Sequence, residues 1–136
     1  GNLEGVNVTV DYGAPSVKDR VIWGDLVPYD KVWRTGANEA TTVEVDKSIV
    51  INGNELPAGK YALFTIPSED KWTVIFNSDF NQWGAYKYDE SKDMLKVEVP
   101  VESGEHQEQM HISLEESALK IHWEKVIVSL EIAAKG

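Results

Sequence analysis

Residues 60–78 read KYALFTIPSEDKWTVIFNS. Two runs of alternating, β-prone residues flank the polar stretch Ser68–Lys71, and Pro67 closes the first run. A four-residue loop at Ser68–Lys71 sets Leu63 opposite Phe76 and Thr65 opposite Val74. On the other face it sets Phe64 opposite Ile75 and Ile66 opposite Thr73. Both faces of the hairpin are then largely apolar, and a strand pair of that kind needs cover on both sides. A second sheet supplies one cover. The long segment 78–93 is expected to supply the other.

The same period-two pattern runs through the rest of the chain. Val6, Val8 and Val10 alternate with polar residues, as do Val43 and Val45, then Ile49 and Ile51, then Leu95, Val97, Val99 and Val101. Met110, Ile112 and Leu114 follow, then Leu119, Ile121 and Trp123, then Val126, Val128, Leu130 and Ile132. Asn52-Gly53 is a hairpin signal, because both residues tolerate positive φ. Pro57-Ala58-Gly59 and Glu116-Ser117 mark further turns. No segment sustains a 3.6-residue period. The expected fold is an all-β antiparallel sandwich, jelly-roll-like, with eight to ten strands and little or no helix. It is expected to occupy residues 1–136 as a single domain. Two segments interrupt the rhythm, 11–30 and 78–93, and long interruptions of a regular scaffold are where function concentrates.

Composition narrows the chemistry. The net charge of −10 disfavours nucleic acid and anionic membrane surfaces as partners. No apolar run is long enough to span a membrane. With no cysteine, disulfides, thiolate metal sites and a cysteine nucleophile are excluded. Phosphate loops, nucleophile elbows and dinucleotide fingerprints leave no trace. Gly1 reads as a cloning scar, with an export leader expected to have stood ahead of it. Asn7-Val8-Thr9 matches a glycosylation sequon inside a strand-like run.

Three sets of residues are candidates for a site. In Val32–Asp46, VWRTGANEATTVEVD, the hexad Arg34 to Glu39 combines a guanidinium fork, the Asn38 amide and a potential base in Glu39. The competing reading is a turn built on Gly36, with Arg34 and Glu39 paired. In SDFNQWGAYKYDESKD, Ser78–Asp93, Trp83 and Tyr86 could form an aromatic wall for a ligand or pack inward as the loop's own core. The start of that segment, Asn77-x-Asp79-x-Asn81, resembles a calcium loop, but Gln82 replaces the turn glycine and Tyr88 the bidentate glutamate. The third set follows from register. A tight turn at Glu116-Ser117 places His111 opposite His122, with Glu124 on the same face and Gln109 opposite it. That is a weak candidate zinc set on an exposed sheet face. No cofactor is expected.

PSVKDR, GDLVPYDKVWRTGANEATT, LPAGKYALFTIP, WTVIFN and QWGAYKYDESKD together resemble an uncharacterised bacterial family, a domain of unknown function often found in exported proteins. The resemblance covers roughly residues 5–135. It implies a β-sandwich and an extracytoplasmic setting, and brings no activity. A donor-rich turn and an aromatic loop on an otherwise regular scaffold make the leading expectation a noncatalytic binding module for a glycan, a small polar ligand or a protein, using Arg34, Asn38, Glu39, Trp83 and Tyr86. One alternative is a hydrolase or isomerase with Glu39 as base and Arg34 stabilising negative charge. The other is a purely structural role, with Arg34 and Trp83 buried and every guanidinium donor satisfied internally.

Overall fold

The computed structural model describes residues 2–3, 6–78, 90–115 and 118–134. Among the described residues ten strands follow one another: β1 (Asn2–Leu3), β2 (Val6–Gly13), β3 (Ala37–Val45), β4 (Ile49–Ile51), β5 (Asn54–Leu56), β6 (Gly59–Pro67), β7 (Lys71–Asn77), β8 (Asp93–Pro100), β9 (Glu102–Glu115) and β10 (Ala118–Ala134). The helical structure among the described residues is one 3-10 turn, Glu90–Lys92. The strands form a six-stranded sheet, β1-β2-β3-β6-β7-β8, and a four-stranded sheet, β5-β4-β10-β9. All pairings are antiparallel. The sandwich predicted from alternation is the fold.

The core lies between the sheets. Trp72, Val74, Phe76, Val97 and Val99 of the first sheet meet Ile112, Leu119, Ile121, Leu130 and Ile132 of the second in one buried cluster. Burying each large side chain of this kind contributes about 1.5–3 kcal/mol. The β4–β5 hairpin leaves the first sheet to join the second. Its turn, Asn52-Gly53, has φ of 47° and 84°, the two positive values that a primed hairpin turn requires.

The β6–β7 hairpin has the predicted register, with Leu63 opposite Phe76, Phe64 opposite Ile75, Thr65 opposite Val74 and Ile66 opposite Thr73. Its outer face is as dry as its inner one. Phe64 and Ile75 are both 0% exposed and pack with Ala62, Val32 and Ile66. Val32 comes from the irregular segment after β2, so part of the cover comes from there. The segment expected to provide it, 78–93, lies largely outside the described residues.

The β9–β10 pair follows the predicted register from Ala118 opposite Glu115 to His122 opposite His111. It then slips. Glu124 stands opposite Gln107, where Gln109 was expected, and Val126 stands opposite Ser103. Twice in succession β9 advances four residues while β10 advances two, so β9 bulges. Glu124 takes a left-handed φ of 57° within this irregularity.

Candidate functional site

The segment between β2 and β3 splits into two pieces, each docked on a different sheet. Residues 15–17 lie against β9, through Val17 N to Glu108 O (2.8 Å) and Met110 N to Pro15 O (2.9 Å). Residues 30–33 lie along the end of β6, through Asp30 N to Pro67 O (2.8 Å) and a reciprocal pair between Trp33 and Thr65 (2.7 and 3.0 Å). This second piece continues the first sheet where β3 diverges. Between the two pieces the mouth of the sandwich stays open as a cleft of about 410 Å³, lined by Ala14, Pro15, Ser16, Lys18, Arg20, Leu26, Val27, Trp33, Arg34, Gly36 and Trp123.

Its floor is aromatic. Trp33 stacks on Trp123 with ring centroids 6.0 Å apart and planes 17° apart. Trp23 packs edge-on against Trp33, Trp72 and Trp123, and Trp33 against Trp72. Trp123 Nε1 donates to Glu108 O at 3.2 Å. Trp23 Nε1 is buried and has no hydrogen-bond partner. Aromatic pairs of these kinds each contribute about 0.5–1.5 kcal/mol beyond their buried area.

Its walls are cationic. The chain has two arginines, Arg20 and Arg34, and both line the cleft together with Lys18. The Val17–Arg20 turn closes through Arg20 N to Val17 O (3.0 Å), with Lys18 and Asp19 at φ of 49° and 57°. This is a type I′ turn built without glycine, which is a strained choice. The Arg20 guanidinium bonds back to the Val17 and Ser16 carbonyls, so its direction is fixed. The Glu108 carboxylate accepts from Lys18 N at 2.9 Å. That bond, followed by its contact with His106, holds the Glu108 carboxyl below its ordinary range.

Arg34 differs from Arg20. It is half-buried, its Nε is sealed from solvent, and that Nε has no hydrogen-bond partner. Leaving such a donor unsatisfied costs about 1–3 kcal/mol. The backbone around it is tightly specified. Thr35 is 0% exposed at φ 61°, with Oγ1 3.2 Å from Thr65 Oγ1, while Thr41 Oγ1 donates to Thr35 O at 2.7 Å. A Cβ on Gly36 would lie 2.7 Å from Gly13 O. The fold thus fixes the backbone beside Arg34 without giving its Nε an acceptor. Strained, over-determined backbone of this kind is typical of functional sites.

Of the residues predicted from sequence, Arg34 lies in the cleft. Asn38 and Glu39 follow Gly36 on β3, but their side chains lie outside the described residues, as do Trp83 and Tyr86 entirely. The calcium-like spacing also runs into undescribed residues. Asn77 itself is 0% exposed, and its amide donates to Asp93 Oδ1 at 2.8 Å, at the base of that segment. In the weak zinc set, the His122 ring nitrogen contacts Glu105 O at 2.8 Å, and the bulge takes Glu124 out of register with Gln109. Among the described residues no group of three or more candidate ligands converges. Lys18, Arg20, Trp33 and Trp123 were not singled out by the sequence reading. Lys18 and Arg20 lie within the irregular 11–30 segment, and Trp33 and Arg34 lie just past its end, so that segment was the signal.

Among the described residues no helix is long and apolar enough to cross a membrane. No curated protein and no solved structure matches the chain. A family model described as protein of unknown function (DUF2911) matches residues 1–132, and the chain belongs to that family.

Proposed function

We propose that this domain is a noncatalytic binding module whose site is the cleft at the mouth of the sandwich. One observation carries the reading: Arg34 lines that cleft, and its Nε is buried without a hydrogen-bond partner. A ligand acceptor toward which the guanidinium turns would remove the cost of an orphaned donor, which gives binding a local driving force. The volume is that of a small-molecule site, and the lining mixes apolar rings with a few directed polar groups, as such sites do. The described lining consists of indoles, small and apolar side chains, one serine and three cations, a set suited to holding a ligand. The extracytoplasmic setting is proposed on the resemblance described above.

The test is a thermal-shift panel of neutral, cationic and anionic small molecules, run on the wild type and on Arg34→Met. The reading requires at least one class to raise the wild-type melting temperature and to lose that effect in Arg34→Met. If no class stabilises the wild type, or if stabilisation survives the substitution unchanged, the cleft is not the site.

A further inference from the structure

The charge of the cleft opposes the charge of the chain. A protein of net charge −10 places both of its arginines and Lys18 around one opening. Each of the three is presented differently. Lys18 sits in a left-handed turn whose amide is tied to Glu108. Arg20 is tied to two carbonyls, so its guanidinium cannot swing away without losing both bonds. Arg34 keeps a buried, unpartnered Nε. That Nε is one half of the side-on edge with which a guanidinium grips two oxygens of a carboxylate or phosphate. A cationic mouth of this kind also concentrates anions by its field.

The rest of the cleft asks for something other than a bare ion. The lining tryptophans, Trp33 and Trp123, lie nearly parallel and back onto Trp23 and Trp72. Leu26 is 45% exposed and lines the same cleft, while the neighbouring Val21 is 66% exposed. A strongly hydrated inorganic anion gains nothing from such surfaces. A molecule with an apolar or flat body does, because its body replaces water over indole and leucine.

Resting on the cleft reading above, we infer that the ligand is a small organic oxyanion, gripped by Arg34 within the Lys18–Arg20–Arg34 mouth and carrying an apolar or planar body against Trp33, Trp123 and Leu26. Carboxylate and phosphate share the chemistry that Arg34 recognises, so the experiment separates them.

The experiment follows the indole N–H signals of the ¹⁵N-labelled protein during titration with benzoate, phenyl phosphate, benzamide and inorganic phosphate. Benzoate or phenyl phosphate should shift the Trp33 and Trp123 signals saturably, and the tighter of the two identifies the oxyanion. Benzamide, the uncharged shape-mimic of benzoate, and inorganic phosphate, which lacks the body, should each bind about tenfold or more weakly than the tighter probe. Arg34→Gln keeps amide donors and removes the charge. It should weaken the oxyanion by about tenfold, weaken benzamide far less, and flatten the fall in affinity with added salt. The wild-type spectrum of the variant's other indoles guards against misfolding. If benzamide matches benzoate, or inorganic phosphate matches phenyl phosphate, the organic-oxyanion inference falls while the cleft remains a binding site. The same holds if a neutral compound from the thermal-shift panel moves the Trp33 and Trp123 signals and no oxyanion does. If no compound of any class moves them, the cleft reading itself falls.

Discussion

Trp33 and Trp123 stack 6.0 Å apart at an interplanar angle of 17°, and they belong to opposite layers of the sandwich. Trp33 is hydrogen-bonded through its backbone to β6 of the first sheet, and Trp123 lies on β10 of the second. The contact therefore ties the layers together at the cleft. Trp33→Ala should destabilise the protein by about 3 kcal/mol, the lower end of the range for a large aromatic, because Trp33 is half-buried. Urea unfolding measures the loss. Near-ultraviolet circular dichroism should lose the signal of the coupled indoles in parallel.

Arg34→Met should have the opposite sign. Removing a buried donor that has no acceptor relieves a desolvation cost, so the unfolding free energy should rise by about 1 kcal/mol. Stability gained at the expense of a site is the familiar trade at binding residues. A fall of several kcal/mol in urea unfolding would instead mark Arg34 as a structural brace.

Gly36→Ala tests how tightly the Arg34 turn is specified. The added methyl group would sit 2.7 Å from Gly13 O, a backbone atom, and 3.0 Å from Thr41 Oγ1. Neither neighbour can move freely, so the cost should be about 1–3 kcal/mol. Thermal melting reports it, and ligand binding should weaken with it because Arg34 is displaced.

Phe64→Ala should cost about 3–5 kcal/mol although Phe64 is on the outer face of its sheet, because it is 0% exposed there. Chemical denaturation of Phe64→Ala beside Phe76→Ala compares the outer and inner faces directly. A change under 1 kcal/mol for Phe64 would show that its cover is loosely packed.

Acid should loosen the Val17–Arg20 turn before the core. The Glu108 carboxyl is held below its ordinary range, chiefly by the Lys18 amide and then by His106. A carboxylate whose folded value is lowered contributes stability that is present above the ordinary carboxylate value and lost as pH falls through the lowered one. The protection factor of the Lys18 amide against hydrogen exchange should fall across that acidic window, and in Glu108→Gln that fall should disappear. Unchanged exchange in the variant would remove Glu108 from the turn.

The strand pattern was legible because one residue in two is apolar wherever a strand has one wet face. Leu63, Phe76, Ile112 and Ile121 occupy the predicted positions for that reason. The doubled apolar face at Phe64 and Ile75 likewise announced its own cover. The irregularity at Glu124 in β10 was missed, yet it left a mark. The inward residues of β10 change from odd numbers, Leu119, Ile121 and Trp123, to even ones, Val128, Leu130 and Ile132. Only an irregularity such as the one at Glu124 can accommodate that change. The site was less legible. Arg34 was found from its local motif, but Lys18, Arg20 and Trp123 join it only through packing of non-neighbouring segments. The docking of residues 15–17 on β9 has no periodic signature, since it depends on backbone groups that every residue carries.

The pairing of β4 with β10 joins Ile49–Ile51 to Ile132–Ala134. A ribosome making this chain releases the strands of the first sheet early and in neighbouring order. The β4–β5 hairpin must then wait for β10 before it has a central partner. During that interval Trp72, Val74 and Phe76 have no opposing layer, and the nascent sheet shows its most adhesive surface to the surroundings. Folding is therefore committed by β10, and deleting its residues 130–134 should convert a well-behaved protein into one that aggregates during synthesis.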